Sequence, residues 1–188
     1  MDFANCSDSE LWRLITYGNR EVFQHLYETY YDGLYFYGMH ITQDEDRVKD
    51  TIQDLFVRLW TNKKQIDIRH SMKFYLFSAF RRNLLKQLKK DTLKVDSSVL
   101  NNVSQSQNFM DVWMMEEKNQ STALYLQKYI NQLSPRHKEI VHLKFFEGLN
   151  YSEISSLTGL DQQYLYNIIN KVSGLLRAQI DKKKLSEL

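Results

Sequence analysis

The chain has 188 residues, of which 43% are hydrophobic, 26% charged and 13% aromatic, a globular composition with room for one ordinary domain or two small ones. Six Gly and a single Pro argue against a turn-rich β-sandwich and for helices joined by short polar loops, and one cysteine, Cys6, excludes an internal disulfide and fits a reducing compartment. No apolar run reaches the roughly 18 residues of a membrane span, the N-terminus reads as lacking a signal peptide, and the net charge of +2 hides an uneven distribution.

In chain order, a first helix is predicted with Asp8 or Ser9 as its cap, carrying Leu11, Leu14 and Ile15 and ending near Tyr17, Gly18 and Asn19. A second apolar stripe takes three- and four-residue steps through Val22, Phe23, Leu26, Tyr30, Leu34, Tyr37 and Ile41. Thr42, Gln43 and Asp44 offer caps for a third helix, whose dipole favours Asp44, Glu45 and Asp46 at its start. That helix continues through Val48, Ile52, Leu55, Phe56, Leu59 and Trp60. A fourth opens near Ser71 with Phe74, Phe77, Leu84, Leu85 and Leu88. Four amphipathic helices of this size bury one small core. Residues 93–120 are rich in Ser, Asn and Gln and read as a flexible linker, interrupted by an apolar island at Phe109, Val112, Trp113 and Met114. Helical spacing resumes in 121–188 with Leu124, Leu126, Tyr129, Ile130 and Leu133, then Ser134 and Pro135 as cap and first helical position, then Ile140, Val141, Leu143, Phe145 and Phe146. The expected fold class is all-α: two small helical domains, 1–92 and 121–188, joined by the linker 93–120.

Charge is unevenly placed along the first domain. Asp44, Glu45, Asp46, Asp50 and Asp54 fall within eleven residues, against only Arg47 and Lys49. Between Ile68 and Lys90 lie seven cations and no acid. An acidic patch followed by a basic one suggests two partners of opposite character, with ordinary solvated helix faces as the plainer alternative. The basic segment interleaves Phe74, Tyr75, Phe77 and Phe80 with Arg81, Arg82, Lys86, Lys89 and Lys90. Melted DNA suits such a surface, since rings stack on bases and cations meet phosphates. Phe74 and Phe77 also lie at core spacing, which leaves the cations as the better nucleic-acid candidates.

The segment 150–172 fits a helix-turn-helix. Asn150 with Glu153 three residues later makes a capping box, and Ile154 and Leu157 face the core. Ser155 allows close approach of the second helix, Gly159 supplies a left-handed residue, Leu160 plugs the turn and Asp161 caps the second helix. Leu165, Ile168, Ile169 and Val172 form its inner face, leaving Gln162, Gln163, Tyr166, Asn167 and Asn170 outside, with Lys171 beyond. Gln and Asn hydrogen-bond the adenine edge bidentately, which suits the DNA major groove. Two packed helices with a glycine turn is the alternative.

Nothing points to catalysis, a metal or a cofactor. The five histidines at 25, 40, 70, 137 and 142 are dispersed, and His137 and His142 are off one-turn ligand spacing. A second thiolate, a phosphate-binding glycine loop and a nucleophile elbow are all lacking. A dipole-matched helix start explains Asp44, Glu45 and Asp46 more simply than a magnesium cluster does. The chain is expected to be no enzyme.

Taken together, Glu21–Tyr30, Asp46–Trp60 and Phe74–Phe77 resemble region 2 of the extracytoplasmic-function sigma factors of bacterial RNA polymerase. Leu133–Arg136, Glu147–Ile154 and Gly159–Leu160 resemble their region 4. The most specific piece is Asp-x-x-Gln-Asp-x-Phe-x-x-Leu-Trp, running from Asp50 to Trp60. The resemblance implies a transcription initiation factor that brings core RNA polymerase to promoters. It further implies that Asp50, Gln53 and Asp54 bind the polymerase clamp helices, with Phe56 and Trp60 in the core. Residues 62–90, with Lys73, Arg81, Arg82, Lys86, Lys89 and Lys90, would engage and melt the −10 element of promoter DNA. Gln162, Gln163, Tyr166, Asn167, Asn170 and Lys171 would face the −35 element. An anti-sigma protein is the implied regulator, and the implied location is cytoplasmic, with no membrane insertion. Two departures stand out. Tyr164–Ile168 replaces the family's Thr-Val-Lys-x-Arg-like run, with Tyr166 and Ile168 in place of its cations. Arg82-Asn83 falls one place later than the common Arg-Asn pair, so no role passes to Asn83. The different reading is a helix-turn-helix regulator, or a sigma-derived interaction module, that does not direct polymerase.

Overall fold

The computed structural model describes residues 6–68, 71–92 and 133–186. The expected linker 93–120, its apolar island and the stripe from Leu124 to Ile130 lie outside the described residues. All regular structure among the described residues is helical. The chain divides into two compact units, one with helices α1 to α4 and one with α5 to α7.

In the first unit α1 spans Asp8–Thr16, α2 Arg20–Ile41, α3 Glu45–Thr61 and α4 Met72–Thr92. Ser7, one residue before the expected cap, starts α1: its hydroxyl accepts from the Glu10 N–H while the Glu10 carboxylate accepts from the Ser7 N–H. Asp8 is diverted to a different task. Its Oδ2 accepts the Met72 N–H at 2.6 Å, helping to cap α4 together with the Ser71 hydroxyl, which accepts from Phe74 N. The Trp12 indole donates to the Ile66 carbonyl at 3.3 Å, so α1 ties down the segment between α3 and α4. Gly18, at φ 92°, ends α1, and Asn19 caps α2 by accepting from Val22 N.

Apolar periodicity on α2, α3 and α4 closes over one core, with Leu34, Tyr37, Val48, Ile52, Leu59, Leu76, Phe77, Phe80 and Leu84 almost wholly buried. The helices meet closely at Gly38, where a Cβ would stand 2.7 Å from Val48 Cγ1 and 2.8 Å from Phe80 Cζ. Thr51 adds a polar tie, its hydroxyl lying 3.0 Å from Gln87 Oε1 of α4. Phe80, in the basic segment, is therefore a core residue alongside Phe77, while Phe74 and Tyr75 are half-buried.

In the second unit α5 spans Pro135–Val141, capped by Ser134, and passes into a π-helical turn over His142–Phe146. Leu143 is buried, but Phe145, expected on the apolar stripe, is 54% exposed. The π-turn explains the shift, because an extra residue per turn rotates the next side chains away from the 3.6-residue stripe. His142 is buried with its Nε2 3.2 Å from Glu147 Oε1 and its ring stacked on Phe146. Helix α6, Tyr151–Thr158, and α7, Gln162–Ser186, complete the unit.

Candidate functional site

Three surfaces carry the residues singled out in the sequence. The first is the outer face of α3. Asp44 caps this helix, accepting from Arg47 N and from Arg47 Nε at 2.9 Å, and these bonds hold its carboxyl below the usual carboxylate range. Glu45 is lowered too, first by its hydrogen bond from Lys49, whose Nζ lies 2.6 Å away. With Val48, Ile52, Leu55, Phe56 and Leu59 turned inward, Asp50, Gln53 and Asp54 stand exposed on the opposite side. They fall at three- and four-residue steps, so they form one stripe, and Val57 and Arg58 continue it. Asp54 lies 4.0 Å from Arg58, a loose surface contact.

Beside this stripe is an apolar groove that residue patterning alone did not reveal. Phe23 and Tyr27 of α2 line it together with Gln53, Phe56, Val57 and Trp60 of α3. The rings pack against one another: Phe23 and Trp60 centroids are 4.9 Å apart, as are those of Tyr27 and Phe56. Phe56 is buried as expected, but Trp60 is only half-buried, and Lys63 Nζ sits 3.4 Å from its ring centroid. Val57, 56% exposed, carries the signal that was available, being an apolar residue on an otherwise polar outer face. Gln53 belongs to both stripe and groove.

The second surface is α4. Its core side is Leu76, Phe77, Phe80 and Leu84, and the opposite side presents Arg82, Lys86, Lys89 and Lys90, exposed at steps of three and four. These four form one cationic stripe. Lys73 and Arg81 do not join it, because both are half-buried. Tyr75 is half-buried, and burial pushes its phenol up while the nearby Arg82 charge opposes that rise.

The third surface is the helix-turn-helix. The Asn150–Glu153 capping box forms with both hydrogen bonds at 2.9 Å. Gly159 ends α6 at φ 73°, in the left-handed region, and Ser155 Oγ donates to the Leu160 carbonyl across the turn. Asp161 Oδ1 accepts from Gln163 N and Tyr164 N, starting α7. Leu165, Ile168, Ile169 and Val172 are buried. Gln162, Gln163, Tyr166, Asn167, Asn170 and Lys171 are all exposed, the first five on one face. Ile168, where the resemblance leads one to expect a cation, points inward. Gln163 Nε2 donates to Asn167 Oδ1 at 3.2 Å, and the Tyr166 ring stands edge-on to Tyr151 with centroids 5.9 Å apart.

Among the described residues no group of three His, Cys, Asp or Glu is placed to hold a metal ion, and no helix is long and apolar enough to cross a membrane. The sequence model for Sigma-70 region 2 matches residues 26–93, and the model for Sigma-70, region 4 matches residues 123–163. No curated relative matches the chain in sequence. Solved structures that share the fold include the following two. CnrH, in complex with the cytosolic domain of CnrY, is 18% identical with a TM-score of 0.54, covering 93% of this chain and 97% of its own. The sigma factor RpoE of Bartonella quintana, in complex with the anti-sigma factor NepR, is 17% identical with a TM-score of 0.54, covering 85% of this chain and 96% of its own.

Proposed function

The chain belongs to the sigma-70 family by its region 2 and region 4, and we propose that it is a transcription initiation factor of the extracytoplasmic-function type whose surfaces divide that work. Asp50, Gln53 and Asp54 on α3 bind core RNA polymerase, with the groove beside them taking an apolar side chain of the same partner. The observation that carries this reading is the juxtaposition of a carboxylate-amide stripe with an aromatic-walled groove through Gln53. A desolvated apolar anchor supplies affinity, while the charged rim sets orientation and on-rate. The cationic stripe of α4 follows the phosphates of the −10 region. Because Phe77 and Phe80 are committed to the core, strand separation falls to the half-buried Phe74 and Tyr75 and to the cations. The outer face of α7 meets the −35 element.

We read the factor as non-enzymatic and cytoplasmic, where polymerase and promoter DNA are. The linker 93–120 and the domain limits 1–92 and 121–188 belong to the same reading. Because both structural neighbours were solved in complex with a second protein, an anti-sigma partner is the expected regulator of this chain too. The test is pull-down of core polymerase by the full chain and by D50K/D54K. Wild type retains core enzyme. The charge-reversed chain loses it while keeping its far-UV helical signal. Equal retention by both would remove α3 as the docking face.

A further inference from the structure

The face of α7 that meets DNA contains no cation from Gln162 to Asn170; Lys171 is the next residue. Arginine or lysine gripping the two acceptors of a guanine, the commonest specific base contact, is therefore not available over this stretch. What stands there instead is an amide pair in a defined arrangement. Gln163 and Asn167 are one turn apart and both exposed, and Gln163 Nε2 donates to Asn167 Oδ1 at 3.2 Å. Gln163 is itself at the start of the helix, its backbone N–H held by Asp161 Oδ1 at 2.8 Å. The hydrogen bond fixes which way the Asn167 carboxamide faces. It leaves one lone pair of Oδ1 and both N–H groups of Nδ2 for a ligand.

The geometry points to Asn167, oriented by Gln163, as the residue that reads a single adenine in the upstream promoter element. This rests on the reading of α7 as the DNA-facing helix. Adenine presents an acceptor at N7 beside a donor at N6 in the major groove, and an oriented carboxamide matches both, donating from Nδ2 and accepting at Oδ1. Guanine presents two acceptors, so its O6 would meet the Asn167 Oδ1 that Gln163 holds in place. Tyr166 flanks the pair and is steadied from behind by Tyr151, over whose ring Lys144 Nζ stands at 4.7 Å. Gln163 is a positioning residue here, and Asn167 touches the base.

The probe is a duplex obtained from a random-sequence library by the full chain bound to core polymerase. Each adenine of its upstream element is replaced in turn by 7-deazaadenine, which lacks the N7 acceptor. Binding by wild type, N167A and Q163A complexes is compared, with a footprint over the upstream element. One position is expected to weaken wild-type binding by roughly two- to tenfold, the loss of one of the two hydrogen bonds of a bidentate contact. The same replacement costs N167A nothing further, and Q163A gives a reduced penalty. A protected upstream element with no adenine penalty, or with an unchanged penalty in N167A, overturns the adenine inference and leaves α7 as the DNA-facing helix. An unprotected upstream element removes both.

Discussion

Gly38 and Asp44 show how single residues set the geometry that the first unit depends on. A Cβ at position 38 would stand 2.7 Å from Val48 and 2.8 Å from Phe80, and both of these side chains are fully buried. G38A is therefore expected to destabilise the unit by about 1–3 kcal/mol, the usual cost of overpacking, read as a lower urea midpoint by Trp fluorescence. Asp44 works through charge. Hydrogen bonds from Arg47 hold its folded pKa below that of a free carboxylate. Its contribution is thus complete above the ordinary carboxylate range and is lost as pH falls through the lowered value. In D44N the cap remains, since Asn caps as well as Asp, but the charge does not titrate. Thermal melts between about pH 5 and pH 2 are expected to fall less steeply for D44N than for wild type. An identical pH profile would mean that Asp44 carries no folding-linked proton.

At the scale of helices, the two stripes of the first unit can be separated by what they bind. R82A/K86A/K90A removes three exposed cations from α4 and leaves its buried side untouched. Each lost phosphate contact flattens the log–log salt dependence of duplex binding by roughly 0.9, so promoter binding by the polymerase complex should lose about two to three units of slope. Polymerase pull-down should not change. An unaltered slope would assign these cations to solvent. Periodicity made the helices themselves legible, because each cap and each apolar stripe is a local pattern of three or four residues. Asn150, Glu153, Gly159 and Asp161 all stand in the roles their spacing predicts. Contacts distant in sequence were not legible. Ser7 rather than Asp8 starts α1, because the Asp8 carboxylate is held by Met72 N, 64 residues away. Nothing local marked Phe80 as the neighbour of Gly38, nor the groove that α2 and α3 make together. The π-turn at His142–Phe146 carries neither Gly nor Pro to announce it, which is why Phe145 was misplaced on the apolar stripe.

For the whole molecule, the near-zero net charge conceals an acidic face on α3 and a basic face on α4, while α7 carries no charged residue from Gln162 to Asn170. In the proposed division, polymerase, single-strand and duplex partners would each meet a chemically different surface. On the proposed reading, the cationic stripe of α4 supplies electrostatic attraction to DNA, and base discrimination over Gln162–Asn170 rests on amides rather than cations. High salt is accordingly expected to weaken promoter binding before it weakens upstream-element selectivity, which selection from a random library at two ionic strengths would show. The central claim, that this chain directs polymerase to promoters, is tested most directly by run-off transcription from a genomic fragment library with core polymerase. Core enzyme with the chain is expected to yield discrete transcripts sharing a promoter pattern, which D50K/D54K abolishes. Transcripts that are the same with and without the chain, despite its binding to DNA, would contradict the account.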